Sequence, residues 1–396
     1  MKASIRIAGL LGTVAALTLF VAPRPAAAVT FAVTNLVSDG SVPAVTIDPS
    51  LVNPWGVSFG PTSPFWVSDN KTGVSTLYNG AGGKLGLTVT IPPSPSAPTG
   101  QVFNSGGATA FQIGGTKPLF IFDSEDGVIS GWAGSFGTTA QAATTSSTGA
   151  IYKGLAIGSD AKGDHLYAAD FHNGVVEMYT NDFSSFTTFT DPTVAAGYAP
   201  FNAQVLGGEL YVTFAKQDAT GHDDVGGAGN GYVDVFNLDG TLNRRLVSLG
   251  GEIDSPWGLA IAPDSFHELS GDLLVGNFGD GTISAFDSLT GAFKGRLLGI
   301  DEKPLVFGDL WALTPGNDAA AGSSKKIYFT AGLVDEAGGL FGVLTAIPEP
   351  SSWALMILGF GLTGAALRTG RRREPAIRAQ TLFTTIGCKA STDGQP

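Results

Sequence analysis

The chain of 396 residues has a single cysteine, Cys388, close to its C-terminus. A disulfide framework is therefore excluded, and the body of the protein depends on its apolar core for stability. Charged residues make up only 14% of the sequence. The region from Val29 to Pro348 has 13 Lys and Arg against 31 Asp and Glu, a net charge of −18. A surface this acidic repels phosphate backbones, so nucleic acid is not an expected partner. No long stretch between the two ends repeats its apolar residues at the 3.6-residue helical period, which argues against a helical domain. There is also no Gly-x-Ser-x-Gly elbow, P-loop or Cys/His metal spacing. Gly359-Phe360-Gly361-Leu362-Thr363-Gly364 matches a dinucleotide fingerprint by letter, but no strand precedes it and no acid follows, so it carries no binding role.

What is present begins at the two ends. Lys2 and Arg6 precede the apolar run Ile7 to Ala22, and Pro23, Pro25 and Ala26-Ala27-Ala28 follow it. Basic flank, apolar stretch and small-residue exit read as a signal peptide over residues 1–28, cleaved by signal peptidase, with Val29 as the mature start. At the other end Pro348-Glu349-Pro350 is followed by the apolar run Trp353 to Leu367, then by Arg368 and Arg371-Arg372-Arg373. The apolar run is about 15 residues, shorter than the roughly 20 of a full span, and the basic cluster after it orients it by the positive-inside rule.

This ordered triplet, apolar segment and Arg cluster resembles the PEP-CTERM sorting signal over residues 348–373. The resemblance implies an exosortase-type sorting enzyme as partner, transient membrane attachment through a C-terminal apolar helix, and delivery to the cell envelope, outer surface or extracellular matrix. Such signals usually end at the basic run. Here a tail over residues 374–396 continues beyond it, and its composition reads as disordered.

The body between the ends repeats. Asn53-Pro54-Trp55-Gly56-Val57-Ser58-Phe59 is echoed by Ser255-Pro256-Trp257-Gly258-Leu259-Ala260-Ile261. In both copies a second strand follows and ends in a polar turn (Phe65 to Asn70, Leu273 to Phe278), then a Gly, a third strand (Val74 to Tyr78, Thr282 to Phe286) and a fourth (Lys84 to Ile91, Phe293 to Leu298). Looser copies begin at Val102, Lys153, Pro200 and Leu310, giving six starts about 45 to 56 residues apart. Short β-rich runs punctuated by the chain's 56 glycines make the class all-β. A four-stranded blade buries both faces only between neighbours, so residues 29–347 are expected to close into a six-bladed β-propeller. The sixth copy spells three strands, and Thr30 to Val37 is the segment expected to supply its outer strand and close the ring. The Pro-Trp-Gly strand, followed by Asp or Asn at the end of the second strand, resembles the NHL-type repeat. Asn35 to Asp39, Asp48-Pro49 and Leu51 to Gly56 together are similar to a family of secreted propeller-like proteins of unassigned function, several with PEP-CTERM tails.

Candidate chemistry lies in the turn after each second strand. Asp69, Asp123, Asp170 and Asn277 occupy it in four copies. Oxygen ligands converging there suit a hard cation such as Ca²⁺, and propeller lactonases and gluconolactonase-like hydrolases use a site of this kind. Asp and Asn also favour tight turns for local reasons, and Ala215 and Ala331 stand at the matching places in two copies. The local role therefore outranks the ligand role, and no cofactor is expected beyond that one candidate ion. The insertion Asp218 to Gly231, with His222, Asp223 and Asp224, reads as a flexible surface loop; its Gly226-Gly227-Ala228-Gly229 starts like a calcium-binding nonapeptide but lacks the required Asp. Trp55, Trp257 and Trp311 read as packing between blades before a carbohydrate-binding mouth. The histidines, His165, His172, His222 and His267, show no ligand spacing and read as surface and turn residues. The expected function is binding or scaffolding of an extracellular polysaccharide or protein. The alternative is a metal-dependent, Ca-type hydrolase of lactones or sugar derivatives at the channel mouth.

Overall fold

Six four-stranded antiparallel units follow one another in the computed structural model, which describes residues 29–347. The inner strands are Pro54–Ser58, Pro98–Phe103, Tyr152–Asp160, Tyr198–Leu206, Pro256–Ile261 and Leu310–Pro315. Each packs beside the next, and the sixth returns to the first, so the blades form a closed ring. The expected boundaries hold to within a few residues. The largest difference is in blade 2, whose inner strand begins at Pro98, ahead of Val102.

Ring closure is as expected. Thr30–Ser38 pairs antiparallel with Leu340–Ile347 from Thr30↔Ile347 to Ser38↔Leu340 and becomes the outer strand of blade 6. Two short parallel contacts, Thr46–Ile47 and Leu298–Gly299, cover parts of its far side. Edge strands of this kind otherwise invite pairing with other chains.

The sequence pattern explains why the blades stack. Second strands such as Phe65–Asp69 and Phe120–Ser124 are buried along their whole length, because both faces meet a neighbouring blade. Outer strands such as Phe186–Phe189 are largely exposed. Six apolar clusters fill the six seams between adjacent blades; Phe65, Val67, Tyr328 and Phe341, for example, join blades 1 and 6. Burying each such side chain contributes about 1.5–3 kcal/mol, and the seams do the work that disulfides do in small exported domains.

The Trp-Gly pairs have a steric reason. A Cβ on Gly56 would lie 2.6 Å from the Thr99 carbonyl oxygen of blade 2, and one on Gly258 would be closer still to the Trp311 carbonyl oxygen of blade 6. Only glycine lets adjacent inner strands approach this closely. The residue entering the inner strand is left-handed in blades 1, 5 and 6 (Asn53 φ 48°, Ser255 φ 45°, Asp309 φ 54°). Left-handed backbone thus recurs where inner strands begin, at one end of the channel.

The signal peptide, the Pro348-Glu349-Pro350 triplet, the apolar segment, Arg371 to Arg373 and the tail all lie outside the described residues. Among the described residues no helix is long and apolar enough to cross a membrane.

Candidate functional site at the channel mouth

The inner strands begin, and the turns after the second strands end, on one face of the ring. There they enclose a cavity of about 420 Å³. Its floor is aromatic. Trp55 and Trp311 stack with ring centroids 3.5 Å apart and planes 20° from parallel, and Trp257 stands edge-on to both. With Phe171 and Phe201 they form a seventh cluster at the ring's centre. The packing role expected for the three tryptophans is therefore observed, and two of them, Trp55 and Trp311, also line the cavity. The Trp257 indole N–H donates to the Lys153 carbonyl at 2.8 Å, and that of Trp311 to Asn53 Oδ1 at 2.9 Å. Trp55 Nε1 has no acceptor among the described residues, although the residue is only 2% exposed.

Superposing the repeats by sequence shows what stands at the tryptophan position of the other blades. It is Trp55, Thr99, Lys153, Phe201, Trp257 and Trp311 in blades 1 to 6. Lys153 is thus a cation set in a ring of mainly aromatic positions, and it is 2% exposed. Its ammonium bonds Glu125 from the turn of blade 2, lies 3.5 Å from Asp223, and sits 5.2 Å from the Trp55 ring centroid. Burying a lone ammonium is prohibitive, so the carboxylate partner and the aromatic face are what keep it there. Glu125 also accepts from Asn70 Nδ2 at 3.0 Å.

The insertion after blade 4's second strand folds against this mouth. His222 Nδ1 lies 2.8 Å from Asp223 Oδ1, and Glu125, His222 and Asp223 each offer a ligand atom within 4.8 Å of the others. These three are the metal-competent group among the described residues. Burial works to raise the Asp223 carboxyl, but the His222 contact and the Lys153 charge hold it below the usual range. Burial pushes Asp224 up to about 6 against the pull of Ser255 and Lys153. Burial also raises Glu336, opposed by Lys71 and reinforced by Glu125 and Asp309. The insertion read as a free surface loop therefore contributes part of the wall. Pairwise sequence spacing gives no sign of this, because its partners lie nearly 100 and 70 residues upstream. The one legible clue is a lysine where sister repeats carry tryptophan.

The four turn residues occupy the same end of the blades, but none lines the cavity, and all four are fully buried. Asp69 accepts from Thr76 at 2.7 Å within blade 1. Asp123 lies 2.9 Å from the Thr99 hydroxyl within blade 2. Asp170 accepts from the backbone N–H of Ile151 and Asn173. Asn277 accepts from Asp254 N–H and donates to Thr282 and Ser284. Each side chain is thus engaged by groups of its own blade. Burial raises the Asp69 carboxyl well above its ordinary range.

The opposite end of the channel is different in kind. A cavity of about 310 Å³ there has no charged side chain in its lining. Its Gln101 and Asn202 amides donate to the carbonyls of Gly56, Trp66 and Trp257. Trp257 lines this cavity, whereas Trp55 and Trp311 line the mouth.

Comparisons with known proteins bear on the C-terminal segment and on the body of the chain. Residues 346–373 match the model of the PEP-CTERM protein-sorting motif, which implies export and exosortase-mediated processing with membrane association. Over 333 residues the chain is 32% identical to uncharacterized protein R648 of Acanthamoeba polyphaga mimivirus, covering 80% of each chain. Over 341 residues it is 33% identical to uncharacterized protein L690 of the same virus, covering 81% of this chain and 87% of that protein. Among solved structures, streptogramin B lyase superposes with a TM-score of 0.48 at 11% identity, over 80% of this chain and 98% of that one. The WD40 β-propeller domain of Doa1 gives 0.45 at 12% identity, over 81% and 98%. At these values the two structures bear on nothing beyond a general likeness of fold.

Proposed function

We propose, for a chain that belongs to the family of the mimivirus proteins R648 and L690, an exported binding protein that engages an extracellular ligand at the charged channel mouth. The observation that carries this reading is Lys153, held by Glu125 over the Trp55 face in the wall of an open cavity. Such a pair gives little net stability, since desolvation offsets the attraction, and at the matching inner-strand position the other five blades carry Trp55, Thr99, Phe201, Trp257 and Trp311, none of them charged. Convergent charge over an aromatic floor is the usual make-up of a ligand site. The Pro-Trp-Gly strands support an NHL-type ancestry for the blades.

Residues 1–28 act as signal peptide in this reading, 348–373 as the sorting segment and 374–396 as a trailing tail, with the propeller delivered to the envelope or matrix. Replacing Pro348-Glu349-Pro350 by alanines is expected to leave a membrane-retained precursor in the native host. Fractionation showing an unchanged distribution sinks the sorting role.

A second reading, a metal-dependent hydrolase of lactones or sugar derivatives at the same mouth, is favoured by Glu125, His222 and Asp223. It gains less from Asp69, Asp123, Asp170 and Asn277, whose side chains are engaged inside their blades. One experiment separates the two. Full-length protein purified in detergent is applied to an array of neutral, amino and acidic saccharides, and to lactone substrates with Ca²⁺ or Zn²⁺ added. Saccharide retention that falls about tenfold in Lys153→Met, but persists in the opposite-face variant Gln204→Ala, is the expected result. Metal-dependent turnover lost in His222→Ala, without saccharide retention, would instead favour the hydrolase.

A further inference from the structure

Val29, the mature start expected from the sequence, is buried. It is 3% exposed and packs in the apolar cluster between blades 5 and 6 with Phe31, Phe266 and Leu269. Thr30 beside it pairs on two sides, antiparallel with Ile347 and parallel with Leu298. Chain termini fray unless something ties them down. Here the backbone nitrogen of Val29 donates to Glu268 Oε1 at 2.6 Å. Glu268 lies in the short 3-10 segment Asp264–Leu269 of blade 5, which Phe266 and Leu269 anchor in the same cluster. Ser265 of that segment also donates to the Lys325 carbonyl of blade 6. Among the described residues the Glu268 carboxylate has no cationic partner and no other donor.

Cleavage changes what Glu268 holds. Hydrolysis of the Ala28–Val29 amide adds one water and gives an Ala28 carboxylate and a Val29 α-ammonium, with no proton left over. An α-amino group titrates at about 7.7–8.0, so it is charged at neutral pH. The neutral N–H facing Glu268 becomes a cation at the same atom, and a charge-assisted bond is roughly twice as strong as a neutral one. Glu268 is exposed, so the pair is screened and its contribution is modest. Its use is positional, because it fixes the first residue of the closing strand at the seam which that strand seals. Burial also sets an order. Proteolysis needs exposed, unpaired backbone, whereas Val29 to Phe31 are buried or paired once the ring has closed.

We propose that the fold contains a site for its own mature N-terminus: the Ala28–Val29 bond is cut before the ring closes, and Glu268 then captures the Val29 α-ammonium as the side chain enters the seam between blades 5 and 6. The proposal rests on the reading of residues 1–28 as a signal peptide and is independent of the ligand at the mouth.

For the test, the processed chain is purified in detergent from the native host, and the full-length precursor is made by cell-free synthesis in the same detergent. N-terminal sequencing of the processed chain is expected to read Val29 first. Its α-amine should react with an acylating reagent at least about tenfold more slowly in the folded protein than in urea, and Glu268→Gln should remove most of that protection. Glu268→Gln should also lower the melting temperature of the processed chain by about 2 °C, and that of the folded precursor by less. Signal peptidase should cut the precursor before folding and not after. A different first residue overturns the site together with the signal-peptide boundary beneath it. Val29 at the N-terminus with an α-amine equally reactive in folded and unfolded chains, or with Glu268→Gln without effect, overturns the capture and leaves the signal-peptide reading intact. Equal losses in processed chain and precursor overturn the role of the charge, and ready cleavage of the folded precursor overturns the order.

Discussion

Deleting Thr30 to Val37 abolishes the cooperative unfolding of the propeller. This segment is the outer strand of blade 6, paired along its length with Leu340–Ile347. It buries Phe31 (1% exposed), Leu36 (4%) and Val37 (0%). Phe31 reaches into the seam between blades 5 and 6, where it packs on Phe266 at 4.6 Å, while Leu36 and Val37 join the seam between blades 6 and 1. At about 1.5–3 kcal/mol per large side chain, the loss is comparable with the whole 5–15 kcal/mol margin of a typical domain. It also exposes an edge that can pair with another chain. In chemical denaturation the deletion variant is expected to unfold broadly at low denaturant and to aggregate. Phe31→Ala, which leaves the strand in place, should cost about 3–5 kcal/mol. An unchanged midpoint in both variants would show that closure does not depend on this strand.

The second large effect is a pH dependence at Asp123. The Thr99 hydroxyl lies 2.9 Å from Asp123 Oδ1 and 2.8 Å from the Tyr152 carbonyl oxygen. The single Thr99 proton is shared between these two acceptors, and Asp123 Oδ2 has no donor among the described residues, so a carboxylate here is only partly satisfied. Burial accordingly pushes Asp123 up to about 7, against the weaker pulls of Thr99 and the Gly100 backbone. A carboxyl raised in the folded state binds more protons than in the unfolded chain, so stability falls as pH rises. Its contribution is fully present below about pH 4 and is lost as pH passes through about 7. Asp123→Asn keeps the group neutral, with an amide oxygen that accepts from the Thr99 hydroxyl. The variant should therefore match the wild type at pH 4 and exceed it by up to about 4 kcal/mol above pH 7. Urea midpoints at pH 4, 6 and 8 measure this difference. A difference that stays constant with pH would show that Asp123 is ionised in the folded protein.

The repeated Pro-Trp-Gly strands were legible because their constraint is local and steric. The tryptophan fills the ring's centre, and Gly56 and Gly258 permit the close approach of neighbouring inner strands. The outer strands of blades 2 to 4, Gln141–Thr145, Phe186–Phe189 and Leu242–Val247, were not spelled out. The first two are largely solvent-facing, and exposed positions tolerate many residue types, so little hydrophobic pattern is left to read.

By itself, the sequence determined the all-β class, the six repeats, the closing strand and the sorting signal, because each follows from a short-range pattern of burial, turn chemistry or charge. The mouth was decided by the tertiary structure alone. Glu125, Lys153 and Asp223 come from three blades, with nearly 100 residues separating the first from the last, and no periodicity relates them. Only closure of the ring brings blade 2's turn, blade 3's inner strand and blade 4's insertion to one point. Burial raises the carboxyls of Asp224 and Glu336 there, and that burial exists only in the completed fold.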